Sequence, residues 1–313
     1  MLLQAEPILE WSEPSRHFVG FISLFLANGA IAFRYAAVRR RLTVRDAQDG
    51  AQVIYQTAAQ RAAVLGLAGV LVQVAFLIMG LPRIAERMHL STWQLLTTHP
   101  QTIARCVLLL AAIVGFGMAA MRRPRGWPIA TVGLVGAQLA VVLSGRWVGL
   151  VNPVHQLLAS LWLGTLAIVV FVGMSAVLRG PPSLRGRVVA EMVNGFSPLA
   201  LTCGPLLVLS GVVTALRHLN PFSSLWSTPY GFALLIKLCL VAVVFTLGAW
   251  NWRRQRPQLG SEEAAGLIRR SSVRELAVAT LVLVVTAVLV SLPAPRRPGE
   301  ARPASAAPTA PAR

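Results

Sequence analysis

The chain has 313 residues, of which 55% are hydrophobic and only 13% are charged. Soluble domains usually carry about twice that share of charged residues. So much apolar surface does not fit inside one water-soluble core. The composition therefore excludes a soluble enzyme and a disordered chain, and three cysteines are too few for a disulfide scaffold. It predicts a polytopic membrane protein, because each span needs about 20 mostly apolar residues.

The net charge of +18 does not indicate a nucleic-acid partner. The basic residues are arginines apart from Lys237, and they lie between the apolar segments. They form no continuous basic patch with interleaved aromatic residues, which nucleic-acid binding would need. We therefore expect contact with membrane lipid and no nucleic-acid partner.

Eight apolar segments follow one another along the chain and predict an all-α bundle of about eight transmembrane helices. They run over residues 18–38, 62–81, 103–121, 127–143, 154–178, 196–216, 230–252 and 275–292. The first follows a short acidic stretch without a small-residue cleavage site, so we expect a retained helix rather than a signal peptide.

The arginines in the connections predict the orientation of these helices. Seventeen lie in the connections that follow the first, third, fifth and seventh segments, and four lie in the alternate connections. By the positive-inside rule the arginine-rich connections are cytoplasmic, and both termini then face outward. We divide the chain into a four-helix membrane half (1–150), a second membrane domain (151–292) and a disordered Pro- and Ala-rich tail (293–313).

All five histidines fall on the side that this topology places outside. Imidazole, thiolate and thioether groups are suitable ligands for Cu(I). We therefore include Met88, which is adjacent to His89, among the candidate metal ligands. The candidates are His155, His17, His99, His218, His89 and Met88. The alternative is that interfacial histidines cap helices or bind lipid headgroups.

Polar residues at helical spacing predict a path through the sixth and seventh helices. The candidates are Cys203, Ser210, Thr214, Tyr230, Lys237 and Asn251. Lipid offers no hydrogen-bond partners, so these faces should turn inward, although polar contacts between helices would give the same pattern. Lys237 has no carboxylate at its depth, and it either snorkels outward, binds carbonyls or meets an anion of a ligand.

Four motifs in the second half occur in a fixed order. They are HQLLASLWLG at 155–164, FSP at 196–198 followed by LSGVVTALRHL, TPYGFALLIKLCL at 228–240, and Asn251 followed by RELAV at 274–278. Together they resemble the copper resistance protein D family over roughly 140 residues. The motif residues expected to be structural are Trp162, Gly164, Phe196, Ser197, Pro198, Gly231 and Glu275.

The resemblance implies a multi-pass protein of the bacterial inner membrane that handles copper, as a transporter or a tolerance protein without enzymatic activity. It also implies a small periplasmic copper-binding partner and reception of copper by the outward histidines. One alternative is a membrane redox protein that binds haem b through His155 and a second histidine, with Lys237 and Arg217 pairing with the propionates. Another is a scaffold that binds a periplasmic copper carrier without transport.

Overall fold

A computed structural model describes residues 11–38, 50–145, 147–218, 223–255 and 262–293. Within these ranges the chain is helical and contains no strand. Eight of the described helices are long and apolar enough to cross a membrane, which confirms the predicted number of spans and the multi-pass architecture. We label these spans α1 to α8. They are Ser12–Val38, Ala51–Arg87, Pro100–Ala120, Gly126–Ser144, Val151–Leu178, Pro182–Arg217, Pro229–Arg253 and Ile268–Ser291.

Several helices extend further than their apolar segments. The second apolar segment, 62–81, lies within Ala51–Arg87, and the sixth, 196–216, lies within a helix that begins at Pro182. Polar and charged residues occupy these extensions, so hydropathy alone does not detect them. Short helices over Thr92–Thr98 and Ser224–Ser227 lie in two of the connections. The predicted tail beyond Pro293 lies outside the described residues.

Helices α1 and α5 form the centre of the bundle, since most of each span is buried, whereas only a small share of α6 and α7 is buried. Helix α1 packs against α2, α5 and α8. The largest hydrophobic cluster contains residues from both halves of the chain, including Phe33, Tyr55, Phe116, Val177 and Met192. Residues 1–150 and residues 151–292 therefore contribute to one hydrophobic core.

Helices α1 and α5 approach each other at two glycines. A Cβ atom added at Gly29 would collide with the backbone of Gly164, and one added at Gly164 would collide with the carbonyl of Phe25. Beside this contact, the Asn28 amide donates to Ser160 Oγ at 2.8 Å. Small residues that allow backbones to meet, joined by a buried hydrogen bond, are typical of helix pairs in membranes.

The α-helical geometry is interrupted by three π-helical segments, at Phe33–Val38 in α1 and at Ser160–Gly164 and Val169–Gly173 in α5. Such segments widen one turn and change the direction of the side chains that follow, and they are frequent at functional sites. The first π segment of α5 coincides with the second half of the HQLLASLWLG motif.

Helices α6 and α7 leave a cleft between them. Helix α7 packs chiefly on α8, while α6 packs on α5, on α8 and on the π-helical end of α1. The cleft is therefore bounded by α6 and α7 on its sides and by α5 and α8 at its floor. The residues of the predicted polar path lie on the two helices that border it.

Candidate functional site

A polar cluster lies in the first turns of α5, opposite α6 and α7. His155 Nδ1 lies 2.9 Å from Ser210 Oγ, and the charge of Lys237 acts on the imidazole ring. We call these three residues the His155 cluster. Gly211 allows the ring to lie close to α6, because a Cβ atom at that position would be 3.2 Å from His155 Cε1.

The hydrogen bonds of Ser210 determine which nitrogen of His155 carries the proton. The Ser210 hydroxyl donates to the Leu207 carbonyl at 3.0 Å, so its oxygen is left to accept from the ring. His155 Nδ1 therefore donates its N–H to Ser210, and Nε2 keeps its lone pair. Ser210 is the described side chain that binds the ring, and the Leu207 carbonyl also acts on it. A histidine oriented through one nitrogen has the arrangement of a metal ligand whose second nitrogen binds the metal.

Another polar contact continues the His155 cluster toward the end of α6. The Thr214 hydroxyl donates to the Ser210 carbonyl at 2.9 Å, and its oxygen lies 3.5 Å from Asn152 Oδ1, one helical turn from His155. The sequence pattern had grouped Ser210 with Thr214 on one face of α6, and both contact residues of α5. Asn152 was missed, because an asparagine at a helix start is usually a capping residue.

A second site lies deeper in the cleft, where α5, α6, α7 and α8 surround a cavity of about 890 Å³. Motif residues that are far apart in the sequence line it together: Trp162, Phe196, Ser197, Pro198, Asn251 and Glu275. Asn251 Nδ2 donates to Glu275 Oε2 at 3.4 Å. We call this the Glu275 cavity. Asn251 lies 14 residues from Lys237 on α7, which corresponds to about 21 Å along the helix axis.

An apolar layer separates the His155 cluster from the Glu275 cavity. The rings of Trp162 and Phe245 are 4.9 Å apart, and the Phe245 ring reaches across to α6, where a Cβ atom at Gly204 would lie 3.1 Å from it. Cys203 is buried in the same layer, packed with Val244. The predicted polar path is thus two polar sites with apolar side chains between them. Phe245 was missed because nothing distinguishes it from a packing residue in the sequence.

Tyr230 and Gly231 lie at the start of α7, away from both sites. Tyr230 packs with Ala233 and Leu234. Gly231 donates its N–H to Thr228 Oγ1 at 3.1 Å, and a Cβ atom there would collide with the backbone of Ser224–Ser227. Within the TPYG motif the glycine is therefore required by the tight entry into α7.

The other candidate ligands are separated from the His155 cluster. His99 and Met88 line a different cavity of about 520 Å³ together with Arg105 and Arg217. His99 Nδ1 lies 3.2 Å from Thr102 Oγ1. His89 is exposed with a positive φ of 53°, as expected for a turn residue.

His17 stacks on Phe21 near the start of α1, with ring centroids 6.4 Å apart. The side chain of His218 lies outside the described part of the structure. Among the described residues, no group of three or more His, Cys, Asp or Glu side chains is arranged to hold a metal ion. Of the four histidines whose side chains the structure describes, His155 is the one bonded to a side chain of another long helix.

Comparison with known proteins supports the resemblance found in the sequence. Residues 190–289 match the family model of copper resistance protein D. The chain is also 33% identical over 157 residues to the copper transport protein CutJ of Bacillus subtilis (strain 168). That alignment covers 50% of this chain but only 27% of CutJ, so the chain spans about a quarter of this relative. No solved structure matches the chain.

The matched region contains α7, most of α6 and α8, and hence two of the three residues of the His155 cluster together with Glu275 and Asn251. The match confirms the resemblance for three of the four motifs, which lie within residues 190–289, whereas HQLLASLWLG at 155–164 lies before the matched range.

Proposed function

We propose that this protein transports copper across the bacterial inner membrane and receives the ion through His155. The observation that carries the proposal is the orientation of His155 by Ser210, which belongs to the range, residues 190–289, that matches copper resistance protein D. Imidazole nitrogen is a good ligand for copper. The positive-inside rule supports a periplasmic position for this residue.

Copper entry from the periplasm agrees with the position of the His155 cluster near one end of α5, α6 and α7. The ion would be delivered by a small periplasmic copper-binding protein. The name of CutJ, a copper transport protein, supports a transport role. Such a role needs no chemical reaction on the copper, and the protein is then a transporter rather than an enzyme.

Lys237 sets a condition on this route. At an effective dielectric constant near 20, two unit charges 4 Å apart repel by about 4 kcal/mol. A copper ion bound to His155 therefore occupies the side of the ring that faces away from the ammonium group, or it arrives with an anionic ligand that Lys237 neutralises.

The test is a Cu(I) titration of the purified protein, with His155→Ala compared with His89→Ala as the matched control. His89 is exposed in a turn, so we expect its variant to bind copper as the wild type does, whereas His155→Ala should lose at least tenfold in affinity. Equal affinity in the two variants would remove His155 from the mechanism. A Soret band in the same sample would favour the haem b alternative, in which Lys237 pairs with a propionate.

A further inference from the structure

Glu275 is a buried carboxyl group inside a predicted membrane span. It is 7% exposed and lies seven residues beyond the start of α8 at Ile268. The sequence motif RELAV suggested a structural residue at a helix end, because the apolar segment begins at 275. The helix begins earlier, at Glu262, and Glu275 therefore lies among the helices rather than at their edge.

The carboxyl group faces the Glu275 cavity and has little else to stabilise a negative charge. Asn251 Nδ2 is its hydrogen-bond donor, at the long distance of 3.4 Å. Gly248, on α7 like Asn251, leaves Glu275 Oε1 uncovered, because a Cβ atom at Gly248 would lie 3.3 Å from that oxygen. The cavity gives this open oxygen space for water or an ion.

The helices packed against α8 bring no described charged group to this carboxyl. Helix α7 presents Asn251 and Gly248, and α5 and α6 line the cavity with neutral residues such as Met174, Asn194 and Ser197. The basic residues nearest along these helices are Arg34 in α1, Arg253 in α7, and Arg270 and Arg274 in α8, and none of them forms an ion pair with Glu275. Arg270 and Arg274 are exposed.

An ionised carboxylate buried without a counter-charge is costly, and such a group usually takes up a proton or a cation instead. We propose that Glu275 is a proton-binding site that exchanges its proton with solvent through the Glu275 cavity. The step is the reversible transfer of a proton from hydronium in the cavity to one carboxylate oxygen, which leaves water, with Asn251 bonded to the other oxygen. The site is separated from the His155 cluster by Trp162 and Phe245.

This inference extends the proposed function, because a proton site near the end of the bundle opposite His155 would couple copper movement to a proton gradient. Protons bound at Glu275 on one side and copper bound at His155 on the other would then be exchanged through one conformational cycle. The two sites are tested separately, since proton binding is measured without copper.

Infrared difference spectroscopy of the purified protein in lipid, without copper, detects the C=O stretch of a protonated carboxyl group. The comparison is wild type, Glu275→Gln and Glu191→Gln. Glu191 is a matched control, because it accepts from Tyr55 and lies 3.7 Å from Arg187, a cationic neighbour that Glu275 lacks among the described residues. We expect a band that decreases as the pH rises and shifts in D2O in the wild type and in Glu191→Gln, and that is missing in Glu275→Gln.

A band that remains in Glu275→Gln, or a wild-type band that neither titrates nor shifts in D2O, would overturn the proposal. Gln keeps the size of the side chain, and the wild-type measurement is informative even if the variant folds poorly. In liposomes, a pH gradient should change copper uptake by the wild type but not by Glu275→Gln. Equal responses would refute the coupling, whereas failure of the wild type to take up copper would refute transport and leave the infrared result standing.

Discussion

The orientation of His155 by Ser210 can be tested by removing one hydroxyl group. Ser210→Ala deletes the hydroxyl oxygen that lies 2.9 Å from His155 Nδ1 and removes the side-chain partner of the ring. A partly buried donor left unsatisfied costs about 1 to 3 kcal/mol. The ring is then free to rotate or to change tautomer, and Nε2 no longer carries the lone pair in a fixed position.

We therefore expect Ser210→Ala to weaken Cu(I) binding about 10- to 100-fold, the range found when a partner that orients a histidine ligand is removed. Competition with a Cu(I) chelator in detergent measures the change. Ser210→Thr keeps a hydroxyl group and should restore most of the affinity. Thr202→Ala is the control on the same helix, because Thr202 is exposed and donates to the Pro198 carbonyl.

The reasoning would be refuted if Ser210→Ala bound Cu(I) as tightly as the wild type while His155→Ala did not. In that case His155 would bind through another nitrogen or in another rotamer. If Thr202→Ala weakened binding equally, the effect would come from a general change in α6 rather than from the hydrogen bond.

Three further predictions concern topology, charge and packing. A reporter fused after Arg256 should behave as cytoplasmic and one fused after Pro293 as periplasmic, and the reverse pattern in both would overturn the orientation. Lys237→Met should fold normally but change copper uptake, because Met keeps the length of the side chain and removes the charge that acts on the His155 ring. Unchanged uptake would show that Lys237 only anchors the helix. Gly164→Val should lower the melting temperature by several degrees or prevent folding, because its side chain would meet the backbone of α1. Gly117→Ala should be neutral or slightly stabilising, because no atom lies within 4 Å of the added Cβ. Equal melting curves for the two variants would contradict the packing.

The number of spans could be predicted because each needs a long apolar stretch, which hydropathy detects directly. The ends of the helices could not, because polar extensions such as the first turns of α6 carry no hydropathy signal. For the same reason the sequence placed Glu275 at a helix boundary, although it is buried in the bundle. The π segments of α5 also leave no recognisable pattern in composition.

The candidate site was predicted in part. Helical spacing placed Ser210 and Thr214 on one face of α6, but it does not identify the partner helix, so their contacts with His155 and Asn152 required the structure. Periodicity also grouped Lys237 with Asn251, since residues 14 apart share a face, but it takes no account of depth. The two belong to different sites, with Phe245 between them.

Copper flux into liposomes tests the central claim most directly. The purified protein is reconstituted, Cu(I) is supplied outside, and the metal inside is measured over time for the wild type, His155→Ala and His89→Ala. Transport through His155 predicts time-dependent uptake by the wild type and by His89→Ala, and strongly reduced uptake by His155→Ala. Copper binding by the wild type without any flux would contradict transport and favour the scaffold alternative, and equal uptake by all three proteins would exclude His155 from the route.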